Sequence, residues 1–275
     1  MSLMLKLLAI TLLSTSLVQA SATNKQIEDF LYNNFKSNPN IKTIKIGVSS
    51  KSSVKEMSEW SAFIVNVDAT LKDNREVKQK MIWFSNGLVI TPDLIDIKTK
   101  RSLKDAVSPK FEARHYKKEN IIYGNENAKH KVVVFSDPLC PFCRSYVPKA
   151  IEDMKKRPND FAVYYYHFPL PSLHPAAVEL TKAAIAAELK GKKDVVLKLY
   201  KVEIDGRERN LSKILGAFNK VMGTSITKKD IEDPRVVKHF EQDQAIADDV
   251  MVQGTPTVFF DGVKDRSKKK YLGVK

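Results

Sequence analysis

The chain has 275 residues, 43% hydrophobic and 28% charged, a composition that excludes collagen-like, low-complexity and disordered classes and leaves room for two domains. Its 46 Lys and Arg against 32 Asp and Glu give a formal charge of +14, spread along the chain with one dense run, Lys268-Lys269-Lys270. A nucleic-acid reader concentrates such charge on one face and interleaves aromatics, so this excess reads as a basic, solvated surface and no nucleic-acid partner is expected.

Lys6 precedes the apolar run Leu7-Leu8-Ala9-Ile10-Thr11-Leu12-Leu13, and Val18-Gln19-Ala20 offers a signal-peptidase site. The run is about a dozen residues, short of the roughly 20 that a membrane-spanning helix needs. Residues 1–20 therefore read as a secretory signal peptide, and the mature chain as exported and soluble. Export implies an oxidising compartment, and the chain holds only two cysteines.

Residues 23–37 read as an amphipathic helix with Ile27, Phe30, Leu31 and Phe35 on one face, opened by a capping box of Thr23 and Gln26. Residues 41–48 read as a short strand. Alternation at Phe63, Val65, Val67, Ala69 and Leu71 predicts a second, and Val77, Gln79, Met81 and Trp83 a third. Asn86-Gly87 signals a tight hairpin, with Leu88-Val89-Ile90 pairing back. Trp60 and Trp83 are expected in a core or at a dimer interface. Residues 21–98 thus form a small α+β unit without catalytic spacing, and the charged residues 99–120 form a linker with a short helix around 102–107.

From residue 121 to 275 the pattern becomes α/β. Lys131-Val132-Val133-Val134-Phe135 is an apolar run of buried-strand length, and a helix starts near Cys140. Residues 161–168 form an aromatic-rich strand. An Ala-rich helix over 175–190 stops at Gly191, further helical pattern fills 193–220, and Pro234 opens another helix. Residues 255–260 form a last strand before the Asp261-Gly262 turn.

The chemistry lies in Cys140-Pro141-Phe142-Cys143. A helix N-terminus offers unpaired N–H groups and the positive end of a dipole, and both favour a thiolate. Cys140 is expected to ionise well below the roughly 8.5 of a free thiol, with Cys143 one turn later placed to attack a mixed disulfide on Cys140. Pro138 and Pro141 suit the first turn, where a missing N–H costs least, so a helix start is tolerated there and almost nowhere later. The same pair is half of many zinc sites, but there is no second Cys pair, and His167 and His174 complete a set only with unusual spacing. An inert disulfide closing so short a loop adds little stability. No metal is expected. The Thr255–Pro256 bond, entering a strand after a turn, suits either isomer.

Val132-Val133-Val134-Phe135-Ser136-Asp137-Pro138-Leu139-Cys140-Pro141-Phe142-Cys143, together with Gly254-Thr255-Pro256-Thr257, resembles the thioredoxin-fold Dsb proteins. The separate N-terminal unit is most similar in size and arrangement to the DsbC/DsbG branch. The resemblance implies a thioredoxin-like catalytic domain with a helical insertion over 174–250, preceded by a cystatin-like dimerisation domain. Cys140 would be the exposed nucleophile and Cys143 the buried resolving thiol. Pro256 would be a cis-proline facing them, Thr255 and Pro256 would bind substrate, and Pro141 and Phe142 would tune the pair. The redox-active disulfide Cys140–Cys143 would be the only redox group.

The implied protein is a periplasmic homodimer acting on unfolded or misoxidised exported proteins, with a DsbD-like or DsbB-like membrane partner. It would be a disulfide isomerase or reductase; the alternatives are a net oxidase, or a chaperone with secondary redox activity. Three departures bear on this. Val134 stands six residues before Cys140, where such proteins often bury an acid. Phe142 replaces the histidine of the strongest oxidases, and Thr255 replaces their valine. The closing helix after the last hairpin is missing or displaced. Asp137 reads as a helix cap, and His167 and His174 as structural or surface side chains.

Overall fold

The computed structural model describes residues 21–274 apart from Glu56 and Pro158, so the signal-peptide expectation for residues 1–20 lies outside the described residues. The chain divides into two compact units between Val107 and Ser108, and the stretch 99–120 is shared between them.

In the first unit α1 (Asn24–Lys36) starts at the capping box of Thr23 and Gln26 and buries Ile27 and Leu31. It lies on one face of an antiparallel sheet of order β1 (Ile41–Val54), β2 (Met57–Leu71), β3 (Glu76–Ser85) and β4 (Ile90–Thr91). Phe63, Val65 and Val67 fill that core with Ile27 and Leu31, as their alternation predicts. A short helix, α2 (Lys104–Val107), ends the unit.

Two expectations fail here. The first two strands run on through the Ser- and Lys-rich residues 49–54 and 57–62, because cross-strand ladders such as Lys51 with Phe63 and Ser52 with Ala62 are backbone pairings that need no apolar alternation. The tight Asn86-Gly87 hairpin is instead a four-residue loop: Ser85 pairs with Ile90, and the Asn86 side-chain Oδ1 accepts from the N–H groups of Leu88 at 3.1 Å and Val89 at 3.0 Å. Leu88 and Val89 stay exposed, so only Ile90–Thr91 pairs back.

In the second unit the order is β5 (Ile121–Tyr123), β6 (His130–Ser136), α3 (Pro141–Lys155), β7 (Phe161–His167), α4 (Pro175–Leu189), α5 (Val195–Leu199), α6 (Leu211–Met222), α7 (Lys228–Ile231), α8 (Pro234–Asp249), β8 (Thr257–Phe260) and β9 (Val263–Lys264). The sheet order is β5-β7-β6-β8-β9; β6 and β7 are parallel, and β8 runs antiparallel to β6. Successive side chains of a strand point to opposite faces. Val132, Val134, Val163 and Tyr165 therefore meet Val147 and Ile151 of α3, while Val133, Phe135, Tyr164 and Tyr166 meet Ala247 of α8. Cover on both faces is why these strands read as unbroken apolar runs.

The helices between β7 and β8 form a further core around α4, which buries side chains all round its circumference, among them Ala176, Leu180, Ala183, Ala184 and Ile185. Gly124 has a φ of +75°, and a Cβ there would stand 2.0 Å from the Phe161 carbonyl oxygen, so only glycine fits. After β9 a 3-10 turn over Lys270–Gly273 buries Tyr271. Among the described residues no helix is long and apolar enough to cross a membrane.

Candidate active site

The site is built where the central strand β6 hands over to α3. Asp137, fully buried, fixes the turn between them. One of its oxygens accepts from the N–H groups of Leu139 at 2.7 Å and Cys140 at 3.2 Å. The other accepts from the Leu170 N–H at 2.8 Å and lies 3.0 Å from His174 Nδ1. Asp137 thus shapes the approach to the helix rather than capping it. The N-cap is Cys140 itself, with Pro141 in the first turn and Pro138 before it. Arg144 straps the turn down: its Nε donates to the Pro138 carbonyl at 2.9 Å, and its guanidinium also donates to the Val202 carbonyl. Pro148 lies inside α3, and the helix runs through it with one backbone donor fewer.

Cys140 and Cys143 are both free thiols. Cys140, expected to be exposed, keeps only 6% of its surface, because the loop before β8 lies on it: its Sγ donates to the Thr255 carbonyl oxygen at 3.7 Å. The Thr255–Pro256 bond is cis. Phe142 between the cysteines is 75% exposed, so the apolar ring is what the site presents to an arriving molecule.

Cys143 is sealed from solvent, and burial pushes its thiol up to about 12; the nearby Ser136 and Thr255 hydroxyls work against that rise. At neutral pH Cys143 is therefore a thiol. Cys140 occupies the position where a helix dipole favours negative charge. Two thiols a helical turn apart, one just under the loop before β8 and one behind it, can accept a foreign sulfur and then release it as they join.

The structure brings Cys140, Cys143, Thr255, Pro141 and Phe142 together, with Pro256 next to Thr255. It adds side chains that the sequence reading left out. His174 reaches the site through Asp137. Behind Cys143 runs a buried chain of hydroxyls: Tyr165 and Tyr200 are 2.9 Å apart, and Tyr200 donates to Ser136 Oγ at 2.7 Å. Tyr200 lies 64 residues from Ser136, so no local pattern announces the contact. His167 is structural: it is buried in β7, and desolvation pushes its pKa down to about 3, leaving it neutral. Among the described residues no group of three or more His, Cys, Asp or Glu converges as a metal site.

A family model described as thioredoxin matches residues 116–274, more than half of the chain. The chain belongs to the thioredoxin family. Its structure is similar to a putative protein-disulfide isomerase from Pseudomonas syringae (14% identity, TM-score 0.47), over 55% of this chain and 94% of that one. It is also similar to BdbD from Bacillus subtilis (20%, 0.45, 60% and 91%) and to a thioredoxin-like oxidoreductase from Silicibacter pomeroyi DSS-3 (24%, 0.41, 51% and 79%). Two proteins named Na(+)/H(+) antiporter NhaA 1, from Mycolicibacterium gilvum (strain PYR-GCK) and Mycolicibacterium vanbaalenii, are 28% and 26% identical over 151 residues, 53% of this chain. The alignment covers 24% of each, so the chain spans about a quarter of the length of these curated relatives.

Proposed function

We propose that the chain is a Dsb-type thiol:disulfide interchange enzyme that works in the periplasm on unfolded or misoxidised exported proteins, in the direction of isomerisation or reduction. The observation that carries this reading is the pair itself: Cys140 at the N-cap of α3 beside the Thr255 carbonyl, with Cys143 sealed behind it. Cys140 attacks a substrate disulfide and Cys143 resolves the mixed disulfide. The pair Cys140–Cys143 is the redox group, and no separate cofactor enters. Thr255 and Pro256 hold the substrate segment, and Pro141 and Phe142 tune the pair.

The choice of direction rests on two residues. Phe142 has no polar hydrogen to donate to a thiolate, so it gives the reduced form none of the stabilisation that makes a strong oxidant. Thr255 stands where the family's oxidases more often carry valine. Such an enzyme is kept reduced by a DsbD-like membrane donor. The N-terminal residues 21–98 serve as a cystatin-like dimerisation domain, and residues 1–20 direct export.

Trapping the thiols in growing cells with an alkylating reagent tests the direction. Cys140 and Cys143 mostly reduced supports an isomerase or reductase; the pair mostly oxidised makes the chain a net oxidase with a DsbB-like partner. A compatible second reading, chaperone activity, is favoured by the exposed Leu88, Ile95 and Ile97 of the first unit, the last 91% exposed. Suppression of aggregation that survives Cys140→Ala supports it.

A further inference from the structure

Val134 leaves the strand face beneath the cysteines without a carboxylate. In the sheet register Val134 lies directly beside Tyr165, whose side chain shares the α3 face with Cys143. From Tyr165 the hydroxyl chain runs through Tyr200 to Ser136, over 2.9 and 2.7 Å. All three residues are buried, and by strand alternation Ser136 shares with Val134 the face that α3 covers, where its hydroxyl works against the burial-driven rise of the Cys143 thiol. The Thr255 Oγ1 is buried as well and has no hydrogen-bond partner.

We propose that Ser136, oriented by Tyr200 and Tyr165, stabilises the Cys143 sulfur as a thiolate during the resolving step, in the place of a buried acid. The inference rests on thiol–disulfide exchange at this pair and assigns it a further catalytic residue and two positioning residues.

The step balances without an external reagent. It starts from Cys140 Sγ bonded to a substrate sulfur. The Cys143 thiol loses its proton, its sulfur bonds to Cys140 Sγ, and the bond from Cys140 to the substrate sulfur breaks. The substrate sulfur leaves with the electron pair and takes up the proton, so two electrons pass from the enzyme's two thiols to the substrate disulfide. While it forms, the Cys143 thiolate sits where water cannot solvate it. Ser136 then donates to the sulfur, Tyr200 to Ser136 Oγ, and Tyr165 to the Tyr200 oxygen. Aligned head to tail, the three O–H dipoles polarise one another and are already in place when the charge appears. Burial raises both phenols well above the usual tyrosine value, so neither is a base at neutral pH; the chain orients the sulfur's partner and removes no proton.

The test separates the two steps. Reduced full-length protein is mixed in a stopped-flow instrument with excess dithiobis-nitrobenzoate. The first thionitrobenzoate released reports attack by Cys140, and the second reports resolution by Cys143. Ser136→Ala slows the second release roughly tenfold to a hundredfold, the range for loss of one hydrogen bond to a charged group, and leaves the first within about twofold. Tyr200→Phe removes a single oxygen and slows the second release about threefold to tenfold by the same reasoning; Ser136→Thr restores it. An unchanged second release in Ser136→Ala and Tyr200→Phe overturns the proposal, as does parallel slowing of both releases. A wild type that releases no second equivalent overturns the exchange reading itself.

Discussion

Strands β1 and β6 are both well formed, yet β1 is buried only at Val54 while β6 is buried at every position from Val132 to Ser136. The first sheet hides one face under α1 for much of its length; the second is covered on one face by α3 and on the other by α8. A sheet covered on one side buries only that face, as at Phe63 and Val65, whereas the doubly covered sheet buries both faces, holds Cys143 away from water and supplies hydroxyls from its own strand ends. Placement of the chemistry follows from this difference in cover.

The largest effect expected from breaking it is chemical. Cys140→Ala lowers turnover in a dithiothreitol-driven insulin-reduction assay by at least about a thousandfold, since it removes the nucleophile. In the reduced wild type, iodoacetamide at pH 7 labels Cys140 and spares Cys143, whose buried thiol is held up to about 12; mass spectrometry that finds Cys143 labelled equally fast contradicts that burial.

Next come the cores. Phe135 is fully buried against Phe111, Tyr166 and Phe259, and Phe135→Ala costs about 3–5 kcal/mol in a urea titration. Ile46→Ala, on the half-covered β1, costs less than half of that. Equal costs erase the contrast between the sheets.

A smaller effect depends on pH. The folded pKa of His167, about 3, lies below its value of about 6.5 in an unfolded chain. Its contribution is therefore fully present above pH 6.5 and is lost as pH falls from there toward 3. The slope is at most about 1.4 kcal/mol per pH unit, and it shows as a difference between wild type and His167→Gln in urea midpoints from pH 7 to 5. No difference means that His167 is not held neutral. Smallest is Thr23→Ala, which removes the capping box of α1 and costs about 1 kcal/mol by thermal melting.

Much of this was legible in the chain. The runs at 131–135 and 161–168 announced strands covered on both faces, and Cys140 and Cys143 announced their chemistry through spacing and a helix start. What stayed hidden has two physical causes. The ladder between Ser49–Ser53 and the residues opposite is held by backbone hydrogen bonds, which leave no apolar period to read. Asp137 with His174, and Ser136 with Tyr200, meet only because the helical insertion folds back onto the end of β6, and a pairing across 37 or 64 residues has no local spacing. The near-burial of Cys140 has the same origin, since its cover, Thr255, comes from 115 residues away.

The position of β8 in the sheet carries a consequence for the chain's birth. β6 sits between β7, which follows it closely in sequence, and β8, whose Thr257 pairs with Phe135. A ribosome therefore finishes β6, α3 and β7 long before it makes the strand that closes the sheet and the Thr255 carbonyl that covers Cys140. Throughout that interval Cys140 lacks the cover that the Thr255 carbonyl gives it in the finished fold. At its own synthesis the chain thus passes through the state of its proposed clients, an incomplete fold with the Cys140 thiol uncovered.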